Sequence, residues 1–397
     1  MVRVSPERFV AGGEALARDD DGRVLFVRGA VPGDDVSVTI TEQHGDWSRG
    51  VVDTVHVASA DRVEPPCVRR REGCGGCDWQ HVADGVQLPA KVAIVVDALR
   101  RTGKLRDADV RAAGSVPVRG YRTTIRVVGD QDRRAAFRME RSNDTVSASG
   151  CLVAHPALVD MLDRLVVPPG VEVTLRVSAA TGEATAVWDP EAGAVEGLPP
   201  HVAIGPAAAL TEVVAGHRLR VSAGSFFQSG AAAAELLVER VAAAAPELRD
   251  AARILDAYAG VGLFAVAATA PASYVVAVES SQSAVADCTA NLHHRPARVE
   301  RRQVGEWRPK AGEAFDVVIA DPARTGLGKP GARAVAAVEA PVLVLVSCDP
   351  VALARDATLL RQHGYRHETT DVIDLFPGTH HVEAVTRFTR RDRARAD

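Results

Sequence analysis

Arg253-Ile254-Leu255-Asp256-Ala257-Tyr258-Ala259-Gly260-Val261-Gly262-Leu263-Phe264 reads as an apolar strand that runs into a Gly-x-Gly turn and then into an alanine-rich helix. Glycine in such a turn lets the backbone come close to a ligand. After the helix, Tyr274-Val275-Val276-Ala277-Val278-Glu279 reads as a second strand with a carboxylate at its tip. That acid falls about 20 residues on, where nucleotide-binding sheets hold ribose hydroxyls. Gly-x-Gly alone is weak evidence, because a plain tight turn explains it about as often. Strand, turn, helix, strand and acid in that order point to a nucleoside-cofactor half-site. From about residue 216 onward strands alternate with helices, so the expected fold class is α/β with a doubly wound sheet.

Two further apolar runs end in reactive residues. Phe315-Asp316-Val317-Val318-Ile319-Ala320-Asp321-Pro322-Ala323-Arg324 is a buried strand stopped by proline, which lacks an N–H, and its tip aims Asp321 into the cleft. Val342 to Val346 runs into Ser347-Cys348-Asp349-Pro350, which places a thiol where an open α/β sheet presents its chemistry. Taken singly, Asp321 caps a strand and Cys348 is a core cysteine, the commoner fate of a free thiol. Leu375-Phe376-Pro377-Gly378-Thr379-His380-His381-Val382-Glu383 brings an acid or base to the same rim. Together Cys348 and Glu383 suggest a nucleophile with a proton acceptor. Gly224-Ser225-Phe226-Phe227-Gln228 adds an amide able to hydrogen-bond a ligand, although Gln228 alone reads as surface.

Phe-Phe-Gln, Leu-Asp-x-Tyr-x-Gly-x-Gly, Asp-Pro-x-Arg, Ser-Cys-x-Pro and His-Val-Glu occur here in one order. In these segments, and over nearly its whole length, the chain resembles the S-adenosylmethionine-dependent RNA uracil-5-methyltransferases, in particular their iron–sulfur-containing, ribosomal-RNA-type branch. The resemblance implies that Gln228, Tyr258, Glu279 and Asp321 contact S-adenosylmethionine, that Cys348 is the nucleophile and that Glu383 takes the carbon-5 proton. The chain departs from the family pattern at Ala259, Ala323, Gly230 and Asp349, none of which removes a reactive atom.

That chemistry requires these residue types. Carbon 5 of uracil is a poor nucleophile, but a thiolate adding at carbon 6 turns the ring into an enolate able to attack a sulfonium methyl. Carbon 5 then holds a methyl group and a proton, and a carboxylate has to remove the proton before the thiol can leave. A cationic neighbour such as Arg324, or a polar strand end, would favour the thiolate by lowering a pKa from about 8.5.

Four of the six cysteines form a separate constellation: Cys67, Cys74 and Cys77 lie in Pro65 to Cys77, and Cys151 follows after a long interval. Four thiolates can close a metal site. Without a signal peptide, secreted disulfides are the poorer reading. Spacing alone leaves zinc and an iron–sulfur cluster open and leans to zinc; the resemblance implies a [4Fe-4S] cluster on these four residues. Cys288, on the helix after Glu279, reads as core.

At 397 residues the chain has room for two or three domains. Residues 1–60 alternate apolar and polar with turn signals such as Asp20-Asp21-Gly22, which reads as a small β-barrel similar to an RNA-binding TRAM module. Residues 61–215 would be a β-rich middle that bears the cysteines, with one helix over Leu88–Arg101. Residues 216–397 would be the Rossmann-like class I methyltransferase domain. A net charge of −4 excludes a protein coated in positive charge, so RNA has to be gripped by a local patch. Arg119, Arg122, Arg126, Arg133, Arg134, Arg138 and Arg141, with Arg69 to Arg71 beside the cysteines, supply one; a solvated hairpin face is the plainer alternative. No stretch reaches the roughly 20 apolar residues of a membrane span, and Met1 to Arg8 offers no secretory core. The expectation is a cytoplasmic, monomeric enzyme with no membrane partner. It would make 5-methyluridine in 23S ribosomal RNA, with the target base extruded to reach Cys348. The alternatives are a transfer-RNA T-loop uridine methyltransferase, a non-catalytic RNA binder that keeps the fold, and a cytosine methyltransferase.

Overall fold

The computed structural model describes residues 1–390; residues 391–397, the end of the expected 216–397 domain, lie outside the described residues. The chain opens with β1 (Val2–Val4), β2 (Arg8–Phe9), β3 (Ala15–Arg18), β4 (Val24–Arg28), β5 (Asp35–Gln43) and β6 (Trp47–Val57). They form one six-stranded sheet in the order β1-β5-β6-β4-β3-β2. Three register shifts between β5 and β6 coil this ribbon, as bulges do. Its apolar side, including Phe9, Leu25, Val27 and Val36, is closed by Trp79 and Ile94 from beyond the sheet.

Next come α1 (Val68–Arg71), α2 (Asp84–Arg101) and β7 (Asp109–Ser115). α2 begins one turn before the helix expected at Leu88, with Pro89 inside it. Then follow β8 (Thr124–Gly129), β9 (Ala135–Arg138), β10 (Thr145–Ser147), α3 (Pro156–Leu162), β11 (Glu172–Val177), β12 (Ala184–Val187) and β13 (Val202–Ile204). These strands make a second six-stranded sheet, β10-β9-β8-β11-β12-β13. α3 packs Leu158, Met161 and Leu162 onto it.

A hairpin of β14 (Ala209–Val214) and β15 (His217–Ser222) leads into α4 (Ala231–Ala244), β16 (Arg253–Ala257), α5 (Leu263–Ala267), β17 (Tyr274–Glu279), α6 (Gln282–Asn291), β18 (Ala297–Arg301), β19 (Val317–Ala320), α7 (Gly328–Ala336), β20 (Val342–Ser347), α8 (Pro350–Gln362), β21 (Tyr365–Asp374) and β22 (Glu383–Arg390). The resulting eight-stranded sheet runs β18-β17-β16-β19-β20-β22-β21-β7. Its first five strands are parallel and β22 is inserted antiparallel. β7, from far upstream, adds a parallel edge beside β21.

Side chains alternate across a strand, and here they feed two separate cores. Ile254, Val275, Val317, Val342 and Val344 join α4, α5 and α6 on one face. Leu255, Val276, Val318, Leu343 and Leu345 join α2, α7 and α8 on the other. Helices on both faces explain why the strands read as continuous apolar runs. The chain winds outward through β17 and β18, then returns to start β19 on the other side of β16. The crevice between β16 and β19 is therefore the switch point where such sheets bind ligands. Among the described residues no helix is long and apolar enough to cross a membrane.

Candidate active site

The loop after β16 has to turn sharply, and Tyr258, Gly260 and Gly262 all take positive φ, at 64°, 56° and 86°. For a tyrosine that conformation is uncommon. A side chain placed on Gly260 would meet nothing within 4 Å, so the turn is bare on its outer side. Glu279, at the tip of β17, holds the loop: Gly260 N donates to its Oε2 at 2.9 Å, while Ser280 N and Ser281 N donate to Oε1 at 2.6 and 2.7 Å. Three of the roughly four acceptor positions of the carboxylate are thus filled by backbone. Tyr258 turns its hydroxyl toward α7, where a Cβ on Gly331 would come within 2.5 Å of it.

Asp321 directly follows β19, its N–H donating to Ala257 O at 3.3 Å, and burial pushes its carboxyl up to about 7. Asp256 lies deeper: Ala265 N donates to its Oδ2 at 3.1 Å, at the start of α5, and Oδ1 is buried without a partner. Burial, with Asp321 and Glu279 nearby, raises Asp256 to about 7. Sequence reasoning gave Asp256 no role; the visible signal was an acid in an otherwise apolar strand.

Gln228 is 8% exposed, whereas Phe226, two residues before it, is 74% exposed. Among the described residues its amide makes no hydrogen bond. The segment is braced from both sides. Arg176, on β11, donates to Ser222 O and Ser225 O at 2.9 and 2.8 Å, and Asp287, on α6, accepts from Ser225 Oγ at 2.6 Å. Nothing in the sequence assigns Phe226 a role; its exposure singles it out.

Cys348 ends β20. Asp349 accepts from Ala352 N at 2.7 Å and Pro350 opens α8, so the strand passes into the helix through a capped turn that leaves the thiol half-buried at the rim. The register Ser347↔Ala384 between β20 and β22 makes Glu383 the position opposite Cys348. Burial pushes the thiol up to about 12, Glu383 and Asp321 add to the rise, and Arg324 opposes it. Glu383 is 5% exposed, and burial, with Asp321 close by, raises it well above the usual carboxylate range. Arg324, the cation suggested by the sequence, is exposed and acts on both groups. Asp356 secures its loop by accepting from Leu327 N and Gly328 N at 2.6 and 3.1 Å. His381 completes the rim; burial, His380 and Arg324 hold its imidazole down at about 3, so it is neutral. Neutral His381 was not assigned from the sequence, where it was one residue of a motif.

Cys67, Cys74, Cys77 and Cys151 line one cavity of about 480 Å³. Burial raises Cys74, Cys77 and Cys151, and the thiols reinforce one another. Among the described residues no three His, Cys, Asp or Glu side chains gather closely enough to hold a single metal ion. Arg69, Arg70, Arg126, Arg138 and Arg141 line the same cavity with Glu140 and Glu172. Arg122 also lines this cavity, half-buried, with its guanidinium 5.8 Å from the Tyr121 ring and 5.6 Å from that of Phe376.

No family model matches the chain. It is 34% identical to an uncharacterized RNA methyltransferase of Streptomyces avermitilis over 94% of both chains. It is 30% identical to a 23S rRNA (uracil(1939)-C(5))-methyltransferase of Pseudomonas putida, over 97% of this chain and 93% of the relative. The solved tRNA (uracil-54, C5)-methyltransferase of Pyrococcus abyssi, in complex with S-adenosyl-L-homocysteine, shares the fold with a TM-score of 0.73 at 22% identity, over 98% of this chain and 100% of that one. By these relations the chain belongs to the family of RNA methyltransferases related to the 23S rRNA uracil-C5-methyltransferases.

Proposed function

We propose that this RNA methyltransferase forms 5-methyluridine, with Cys348 as nucleophile and Glu383 as base. The observation that carries the reading is their opposition across β20 and β22 at the switch-point rim. A half-buried thiol beside a buried carboxylate suits an addition at carbon 6 followed by proton removal at carbon 5.

S-adenosylmethionine, when bound, supplies an electrophilic methyl group on a sulfonium. The residues present fit it: Asp321 borders the switch point with Asp256 behind it, and each carboxyl, pushed up to about 7 by burial, becomes a negative charge able to face a cationic ligand once it ionises. Gln228, Tyr258, Glu279 and Asp321 would hold it around the bare turn at Gly260. Phe226 offers an exposed ring on which an extruded base or its neighbour can stack.

Residues 1–60 are read as a TRAM-like RNA-binding module, 61–215 as the cysteine-bearing domain with a basic RNA-facing side, and 216–397 as the methyltransferase domain, with α2 and β7 crossing over to the last. We further infer that Cys67, Cys74, Cys77 and Cys151 hold a [4Fe-4S] cluster. Four thiols that line one cavity and act on one another electrostatically are the donor set such a cluster takes.

Ribosomal RNA is the preferred substrate, because the relative named for 23S rRNA matches over nearly its full length. Transfer RNA is the second reading, since an enzyme named for it shares the whole fold. Incubating 23S rRNA and transfer RNA separately with the protein and S-adenosylmethionine, followed by nucleoside mass spectrometry, tests both. 5-Methyluridine in 23S rRNA is expected. 5-Methyluridine in transfer RNA alone favours the second reading, and 5-methylcytidine or no product overturns the proposal.

A further inference from the structure

The loop 375–382, which leads into Glu383, is held mainly by residues remote in sequence. Gly378 N donates to Gln87 Oε1 at 2.7 Å, and Gly378 O accepts from Trp79 N at 2.9 Å. Asp78 binds His380 twice, accepting from Nδ1 at 2.6 Å and from the backbone N at 3.2 Å. A carboxylate only accepts, so this contact fixes the imidazole proton on Nδ1. Gly13 closes the other side. A Cβ there would fall 2.5 Å from the Cβ of His380, and Gly13 O accepts from Trp79 Nε1 at 2.9 Å. His380 is thus packed against Gly13 as well as bound by Asp78.

Asp78 is the residue after Cys77, and His380 stands three before Glu383. Cys348 is positioned differently, by the end of β20 and the Asp349 cap of α8. Displacing the Cys77 loop thus moves the approach to Glu383 while leaving the support of Cys348 intact.

We propose that Asp78 is a positioning residue: by gripping His380 it sets the Glu383 carboxylate for removal of the carbon-5 proton, and it makes that step depend on the shape of the cysteine-bearing loop. The inference rests on the reading of the reaction as uracil-5 methylation. In the step concerned, the carbon-5 proton passes to Glu383, the C5–H electron pair rebuilds the C5–C6 double bond, and the C6–S pair departs with the sulfur of Cys348. Asp78 changes no bond of its own. Loosening it slows this elimination while thiol addition and methyl transfer proceed.

The test compares wild type, Asp78→Ala and Asp78→Asn on two RNAs, one normal and one carrying 5-fluorouridine, with iron content and melting temperature measured alongside. On fluorinated RNA, where elimination is blocked, wild type and Asp78→Ala are expected to form the methylated covalent adduct at similar rates. On normal RNA, Asp78→Ala should turn over about tenfold slower or worse, the size expected for losing hydrogen bonds to a charged group. A methylated covalent complex absent from wild type should then accumulate on a denaturing gel. Asp78→Asn keeps an acceptor for His380 N and should recover part of the turnover. Wild-type turnover in Asp78→Ala overturns the proposal, and so does loss of adduct formation in step with turnover, which marks a merely structural role. Failure of wild type itself to form the adduct overturns the uracil reading and this inference with it.

Discussion

Glu383 stands opposite Cys348, one step beyond the last registered pair of β20 and β22, Ser347 and Ala384. Residues so opposed in an antiparallel pair carry side chains on the same face with Cβ atoms about 4.5–5.5 Å apart. In the proposed reaction a base in that place would act on the carbon next to the one the thiol attacks. Glu383→Gln should therefore still allow the adduct and methyl transfer but fail to release product, with kcat reduced about 10²- to 10⁴-fold. Gel electrophoresis of unfluorinated RNA with labelled methyl groups checks this; a variant that never forms the adduct would assign Glu383 a different role.

The buried acids predict a pH dependence with a definite sign. Asp256 and Asp321, raised by burial from 3.8 to about 7, are neutral below that pH and negative above it. A sulfonium ligand gains attraction as they ionise and S-adenosylhomocysteine does not. Calorimetry should show the preference for S-adenosylmethionine growing from about pH 6 to about pH 8, with Asp321→Asn flattening the trend. In the ligand-free protein the folded state holds extra protons between these pKa values. The stability these groups contribute is full below the unfolded value and is lost as pH rises through about 7. The melting temperature of ligand-free protein should fall over that window, and less steeply in Asp321→Asn.

Lys91 and Asp374 form an ion pair at 2.7 Å with side chains 0% and 3% exposed, tying α2 to the end of β21. Lys91 also donates to Phe376 O at 3.3 Å, so the pair bears on the loop before Glu383. Lys91→Met leaves a buried carboxylate uncompensated and should cost about 3–5 kcal/mol. Adding Asp374→Asn should restore much of that in urea denaturation; a single variant as stable as wild type would show that the pair is not closed to water.

Protein purified without air should be brown and carry iron and sulfide near four of each per chain, and replacing any one of Cys67, Cys74, Cys77 or Cys151 by alanine should lower both. Stoichiometric zinc without iron would contradict the cluster reading.

Much of the C-terminal sheet was legible because its strands are apolar runs that end in distinctive residues: Glu279, Asp321 and Cys348 each close a strand whose side chains are buried on both faces. What stayed hidden depends on contacts distant in sequence. β7 joins the sheet beside β21 through pairs such as Val110 with Thr370, and nothing local in Asp109–Ser115 announces that partner. The Asp78–His380 contact joins the loop after Cys77 to the loop before Glu383 in the same way. Arg122 belonged by sequence to a basic run, yet its guanidinium lies against Tyr121 and Phe376. Gly230, a departure from the family pattern, has a physical reason visible only in space: a Cβ there would come within 2.4 Å of Tyr121 O.

The central claim is that the Cys348 sulfur bonds to the uracil ring. The direct measurement is mass spectrometry of the protein after incubation with S-adenosylmethionine and 5-fluorouridine-containing 23S rRNA fragments, followed by nuclease digestion. A methylated fluorouridine nucleotide attached to the peptide bearing Cys348, and absent from Cys348→Ala, is the predicted result. Full methyl transfer to normal RNA by Cys348→Ala, or attachment at another residue, would contradict it.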